Sequence, residues 1–237
     1  MVFQDKVALI TGASRGIGFG IARHLAAKGM TVVGCGREGV TIEKAMAQIR
    51  GEGGAATGYE CNVADEKQVD ALFAAILQAH GRLDALVNNA GIFVGGPIEA
   101  YAVEDWDNMM AVNVRGVYLC CRSAFRVMKP RGGGSIINIA SLSGVRGAEK
   151  FPGTGAYAAS KAGVLGLTEV LAVEGKPFNI RVNAISPGAV DTEMLRKAAP
   201  HLNPGVGPAE VAGVVALLLD EAAQPLNAVN IEIFSNA

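Results

Sequence analysis

Apolar positions along the chain follow two alternating rhythms. Short runs in which nearly every residue is apolar, many of them branched, read as strands buried on both faces. They fall at 6–11, 30–33, 83–88, 134–139 and 180–185, and short, more mixed stretches at 56–60 and 229–234 read as a third and a last strand. Between them the apolar residues recur with the period of a helix that has one buried face. Ile17, Ile21 and Leu25 mark a helix over 16–28, and Val69, Leu72, Phe73, Ile76 and Leu77 mark one over 64–79. Further helices are expected over 39–50, from 103 or 104 to 127 or 128, over 157–172 and over 210–219; Pro130 and the glycines at 132–134 stop the long one. Strands separated by helices predict an α/β fold, a doubly wound and mostly parallel sheet of about seven strands with helices on both faces. No linker, repeat or low-complexity tract divides the chain, so 1–237 is expected to be a single domain.

Composition narrows the function classes. At 237 residues, 50% hydrophobic, the chain can bury a core without metals or disulfides. Lys and Arg number 21 against 22 Asp and Glu, which leaves no surplus of positive charge for a nucleic-acid backbone, and no nucleic-acid partner is expected. The four cysteines show no C-x-x-C spacing, Cys120 and Cys121 are adjacent, and only His24, His80 and His201 are available, so no metal site is expected. The opening MVFQDKVALITG runs straight into a strand without a signal-like pattern, and apolar runs are broken too soon to cross a bilayer. A reduced, cytoplasmic protein without a membrane partner is the expectation.

The turn TGASRGIG at 11–18 joins the first strand to the first helix. Glycine there permits a tight turn, close ligand approach and close helix packing, and a helix N-terminus offers free N–H groups to a pyrophosphate. Gly12, Ser14, Arg15, Gly16, Ile17 and Gly18 are therefore read as a dinucleotide cradle. The second strand ends in Gly34-Cys35-Gly36-Arg37 with no carboxylate before Glu38. Gly36 and Arg37, with Arg15 nearby, suit a 2′-phosphate, so NADP(H) is expected over NAD(H), with Glu38 as the group that can oppose it. Asn62 and Val63 after the third strand, and Asn89, Ala90 and Gly91 after the fourth, fall at the same sheet edge and are expected to line the adenosine and ribose.

Tyr157 and Lys161 lie four residues apart, on one helical face. A phenol with a pKa of about 10 is a poor acid at neutral pH, and a neighbouring ammonium favours its ionised form. Ser141, 16 residues before Tyr157, can donate to a substrate oxygen; Ser143 is a rival. Asn113 sits inside a predicted helix between Val112 and Val114, where a carboxamide needs a partner or a water to hold. Pro187, Gly188, Val190 and Thr192 follow the sixth strand and can turn the chain over a nicotinamide, Val190 through its backbone and Thr192 through its hydroxyl.

Taken in order over residues 5 to 219, these motifs resemble the short-chain dehydrogenase/reductase family, most nearly carbonyl reductases similar to 3-oxoacyl carrier protein reductase. The resemblance implies a Rossmann-like fold and a reversible NADP(H)-dependent reduction of a ketone or aldehyde. In it Tyr157 is general acid/base, Ser141 orients the carbonyl, Lys161 tunes the phenol and binds ribose, and Asn113 holds a proton-relay water. It also implies a small-molecule carbonyl or alcohol substrate and a homo-oligomer, dimer or tetramer. Three departures stand out: Asn62 in place of the common Asp, a longer segment VRGAEKFPGTGA before Tyr157, and a C-terminus without the usual Gly-rich turn. Residues 193–208 are expected to be a short cover over the substrate. The alternatives are an NAD(H)-dependent alcohol dehydrogenase, a reductase of C=C or C=N bonds or an epimerase on the same scaffold, and a non-catalytic nucleotide-binding regulator.

Overall fold

Seven parallel strands form one sheet in a computed structural model that describes residues 3–235. The strands are β1 (Val7–Thr11), β2 (Thr31–Gly36), β3 (Ala56–Glu60), β4 (Ala85–Asn88), β5 (Gly134–Ile139), β6 (Ile180–Pro187) and β7 (Asn230–Ile233), arranged β3-β2-β1-β4-β5-β6-β7. β1 lies between β2 and β4, where the chain reverses its direction of travel across the sheet. That reversal leaves a crevice at the carboxyl ends of β1 and β4, the position at which open α/β sheets bind ligands.

Both faces are covered, which is why the strands are apolar nearly throughout. On one face α1 (Gly16–Ala27), α2 (Gly39–Gly51) and α8 (Pro208–Leu219) bury Ile21, Leu25, Ile42, Met46 and Val215. On the other, α3 (Glu66–His80), α5 (Gly116–Met128) and α6 (Gly155–Gly175) bury Leu72, Phe73, Val117, Leu119 and Val164. The expected long helix is α4 (Val103–Met110) running into α5 through a π-helical turn at Ala111–Arg115. A short helix, α7 (Glu193–Ala198), forms within the expected cover, capped by the Thr192 hydroxyl; apolar periodicity over so few residues gave no signal for it. The stretch Gly155–Phe178 is long and apolar enough to cross a membrane, which the broken apolar runs did not suggest. Here its buried face carries Ser160, Lys161 and Thr168, and it packs on β6.

Candidate active site

The glycine turn is built as close packing requires. Gly12 and Gly16 have φ of +65° and +57°, conformations that L-residues with side chains rarely adopt. A Cβ on Gly12 would come within 2.9 Å of Ala90 Cα, and one on Gly18 would overlap the Gly12 carbonyl and the Asn89 side chain. The turn is thus pressed against the Asn89–Gly91 turn across the crevice. Thr11 holds the two together: its hydroxyl accepts from the Asn89 and Ala90 N–H groups, each at 3.0 Å. Asn89 returns its side-chain N–H to the Thr11 and Gly12 carbonyls at 2.9 and 3.1 Å. Its amide therefore braces the turn, and Thr11, whose role the sequence reading passed over, is the residue that makes this possible.

At the end of β2, Gly36 faces Ser14, whose Oγ would lie only 2.4 Å from a Cβ there. Arg37 is exposed just beyond it. Glu38 does not turn toward that position: its carboxylate accepts from the Thr41 hydroxyl at 2.8 Å, within the first turn of α2. Glu60, the register partner of Gly36 at the end of β3, accepts from the Gly39 N–H at 3.1 Å, so a second carboxylate stands at the β2 end of the crevice. Arg15 is exposed and paired with Glu193 of α7 at 3.3 Å. Asn62 accepts from the Ala64 N–H at 3.1 Å in its own turn, beside buried Val63. These residues fit a dinucleotide along the crevice: the backbone is bare of side chains at Gly12, Gly16 and Gly36, the α1 N-terminus opens onto it, and Arg37 stands at the β2 end.

The chemistry-bearing residues gather at the carboxyl ends of β4 and β5. Ser141 follows β5 and caps a 3₁₀ turn, accepting from the Ser143 N–H at 3.2 Å; its hydroxyl, and not that of Ser143, is the one that draws the Tyr157 phenol pKa downward. Lys161 is buried, 5% exposed, one helical turn beyond Tyr157, and its ammonium donates to the Ile139 carbonyl at 2.8 Å. Asn113 sits in the π turn with 0% exposure. Its Oδ1 accepts from Ile92 N–H at 2.9 Å, and its Nδ2 donates to the Ile92 carbonyl and the Ser160 hydroxyl, each at 3.0 Å. A Cβ on Gly91 would meet Asn113 Oδ1 at 3.4 Å and Lys161 Nζ at 3.6 Å, so the small residue lets both approach the crevice. Pro187, the last residue of β6, and Val190 beyond it are buried, and the Thr192 methyl lies 3.4 Å from where a Gly16 Cβ would stand. The 187–192 turn therefore closes over the glycine cradle.

Electrostatics depart from expectation at the phenol. Burial pushes Tyr157 above its ordinary value, opposed in part by the Ser141 hydrogen bond. Lys161 is not among the groups that offset this burial; its ammonium donates to the Ile139 carbonyl and stands 5.7 Å from the Tyr157 ring centroid. Burial lowers Lys161 itself from 10.5 to about 8. Phe93, which the sequence reading did not single out, meets the Tyr157 ring edge-on at 5.3 Å between centroids. Only 5% of the chain is aromatic, so an aromatic residue two positions beyond the Asn-Ala-Gly turn was the available signal.

Residues 6–203 match the family model for short chain dehydrogenase. The chain is 37% identical to D-threitol dehydrogenase of Mycolicibacterium smegmatis, covering 97% of this chain and 92% of that protein. It is 38% identical to 3-oxoacyl-[acyl-carrier-protein] reductase of Synechocystis, covering 92% and 90%. Its fold is similar to the crystal structure of a single-substitution variant of actinorhodin polyketide ketoreductase with NADPH, with a TM-score of 0.92, 34% identity, and 99% and 98% of the two chains covered. The chain belongs to the short-chain dehydrogenase/reductase family, with the Rossmann-like sheet and the general NAD(P)(H)-dependent oxidoreductase activity on carbonyl or alcohol groups of that family.

Proposed function

We propose that the protein is an NADP(H)-dependent carbonyl reductase that reversibly reduces a ketone or aldehyde, with Tyr157 as general acid/base. The observation that carries this reading is the meeting of Ser141, Tyr157, Lys161 and Asn113 beside the glycine cradle. The nicotinamide, when bound, supplies or accepts the hydride. Ser141 donates to the carbonyl oxygen and holds it at the phenol. A phenol kept protonated by burial suits the reductive direction, in which Tyr157 gives its proton to the developing alkoxide. Lys161 supplies positive charge below that phenol and binds ribose hydroxyls, and Asn113, tied to Ile92 and Ser160, positions the loop and a relay water. Gly12, Ser14, Arg15, Gly16, Ile17 and Gly18 hold the pyrophosphate, and Gly36, Arg37, Asn62, Val63, Asn89, Ala90 and Gly91 line the adenosine side. Pro187, Gly188, Val190 and Thr192 orient the nicotinamide.

The ketoreductase with NADPH supports this cofactor, and relatives named for threitol oxidation and 3-oxoacyl reduction support the carbonyl/alcohol chemistry. The chain is read as one domain with 193–208 as its cover, a cytoplasmic homo-oligomer with no nucleic-acid or membrane partner. Its buried free thiols suit a reducing compartment.

Glu60, at the β2 end of the crevice, favours a second reading in which NAD(H) is used instead. Side-by-side fluorescence titration of NADPH and NADH into wild type and Arg37→Ala separates the two. NADPH is expected to bind tighter by about tenfold, a difference of about 1.4 kcal/mol, and the gap is expected to close in the variant. Equal or NADH-favouring binding by wild type overturns the NADP assignment. Tyr157→Phe is expected to lose turnover and keep binding, and retained turnover overturns the general acid role.

A further inference from the structure

The chain is held in place on both sides of Phe93. Behind it, both backbone groups of Ile92 are bonded to the Asn113 carboxamide. Ahead of it, the Val94 carbonyl accepts from the Tyr101 hydroxyl at 2.9 Å, and the Gly96 N–H donates to the Gly153 carbonyl at 3.0 Å. That last bond sews the loop to the long segment before Tyr157. Gly153 has a φ of +77° there, and a Cβ on it would come within 3.4 Å of Gly96 N. Gly95 lies against the Phe93 ring, which a Cβ would meet at 3.1 Å. The extra length of the segment is thus spent on a seam, not on a free flap. Within it, Lys150 turns its ammonium onto the Leu142 and Val145 carbonyls at 3.1 and 2.5 Å.

The polar groups around the phenol are mostly committed. Asn113 is taken by Ile92 and Ser160, Lys161 by Ile139, and Lys150 by its own segment. Ser141 and Tyr157 serve one carbonyl oxygen. Two apolar side chains stand beside them: Phe93, edge-on to the phenol, and Leu142, the residue after Ser141, whose Cδ1 lies 3.0 Å from where a Gly188 Cβ would stand. A second substrate hydroxyl set against Phe93 or Leu142 would lose water and gain no partner from them. A flat apolar group would lie on the phenyl ring.

We propose that Phe93, fixed by this seam, makes the site select flat apolar ketones, aryl or cyclic, over open-chain polyhydroxy ketones; this rests on the carbonyl-reductase reading above. The test compares acetophenone with erythrulose, NADPH present, in wild type, Phe93→Leu and Phe93→Ala. Wild type is expected to favour acetophenone in kcat/KM. Phe93→Ala is expected to cut that preference by about tenfold or more, as removal of a hydrophobic contact at a specificity pocket does, with Phe93→Leu between. The ratio is the informative quantity, because a variant that merely loosens the fold lowers both substrates together. An equal loss on both, or a wild-type preference for erythrulose, overturns the proposal. If neither ketone is reduced, the carbonyl-reductase reading fails, and saturation-transfer NMR of acetophenone on the same proteins decides the wall separately. Transfer lost in Phe93→Ala upholds it, and transfer unchanged, or absent from wild type, overturns it.

Discussion

Replacing Lys161 by methionine tests whether the site holds a cation at a cost to the fold. Lys161 is 5% exposed, its one hydrogen bond is to the Ile139 carbonyl at 2.8 Å, and burial brings it from 10.5 to about 8. At about 1.4 kcal/mol per pH unit, that difference makes the charged form about 3 kcal/mol more costly to the folded state than the neutral amine. The direction follows from proton counting. Between pH 8 and 10.5 the unfolded chain holds this proton and the folded chain does not. Stability therefore rises with pH through that window, and the whole cost is present below it. Lys161→Met keeps the length of the stem, removes the charge, and gives up a hydrogen bond worth about 1 kcal/mol. The variant is expected to be more stable than wild type by about 2 kcal/mol at pH 7, and the advantage to vanish or reverse near the top of the window.

Urea unfolding of both proteins at fixed concentration, at pH 7 and at intervals toward pH 10, reads this directly. A variant no more stable than wild type at pH 7, or a gap that does not change with pH, refutes the desolvation argument. A stabilised variant with lost turnover identifies Lys161 as a residue kept for chemistry against the interest of the fold.

Two further substitutions probe the cradle. Gly36→Ala places a methyl group 2.4 Å from Ser14 Oγ, so the serine must leave its rotamer at about 1 kcal/mol. NADPH affinity, by fluorescence titration, is expected to fall by about tenfold, and an unchanged affinity refutes the place given to Gly36 along the nucleotide. Thr11→Val keeps the shape and leaves the Asn89 and Ala90 N–H groups without their acceptor, at about 1–3 kcal/mol each. Thermal unfolding is expected several degrees lower, with Thr11→Ser restoring most of the loss; a valine variant that melts like wild type refutes the bracing role.

The strands and glycine turns were legible because their causes are local. A strand buried on both faces must be apolar at nearly every position, so β1 and β5 fall where the runs do. Positive φ at Gly12 and Gly16 is likewise a property of the residue type. Contacts between distant segments were not legible. The Gly96–Gly153 seam, the Arg15–Glu193 pair and the Thr11 brace each join residues far apart in the chain, and no periodicity marks them. The direction of the Tyr157 shift failed for the same reason. Spacing of four residues places Lys161 on the right helical face, but the burial that raises the phenol, and the β5 carbonyl of Ile139 to which the ammonium donates, come from other elements.

Asn113 joins the two kinds of information. Its position between valines inside a long helical pattern was a visible conflict, since a buried carboxamide lowers helix propensity and requires partners. The structure resolves that conflict by changing the helix. A π turn over Ala111–Arg115 interrupts the regular bonding between α4 and α5 and buries Val112 and Asn113 together. The carboxamide then finds both backbone groups of Ile92 and the Ser160 hydroxyl. Such turns are rare in ordinary helices and cluster at functional sites. This one connects the loop that begins at Gly91 with the helix that carries Tyr157 and Lys161. A defect that costs helix stability thereby sets the distance between the phenol and the loop bearing Phe93, so the catalytic and substrate-facing sides of the site are positioned by one residue.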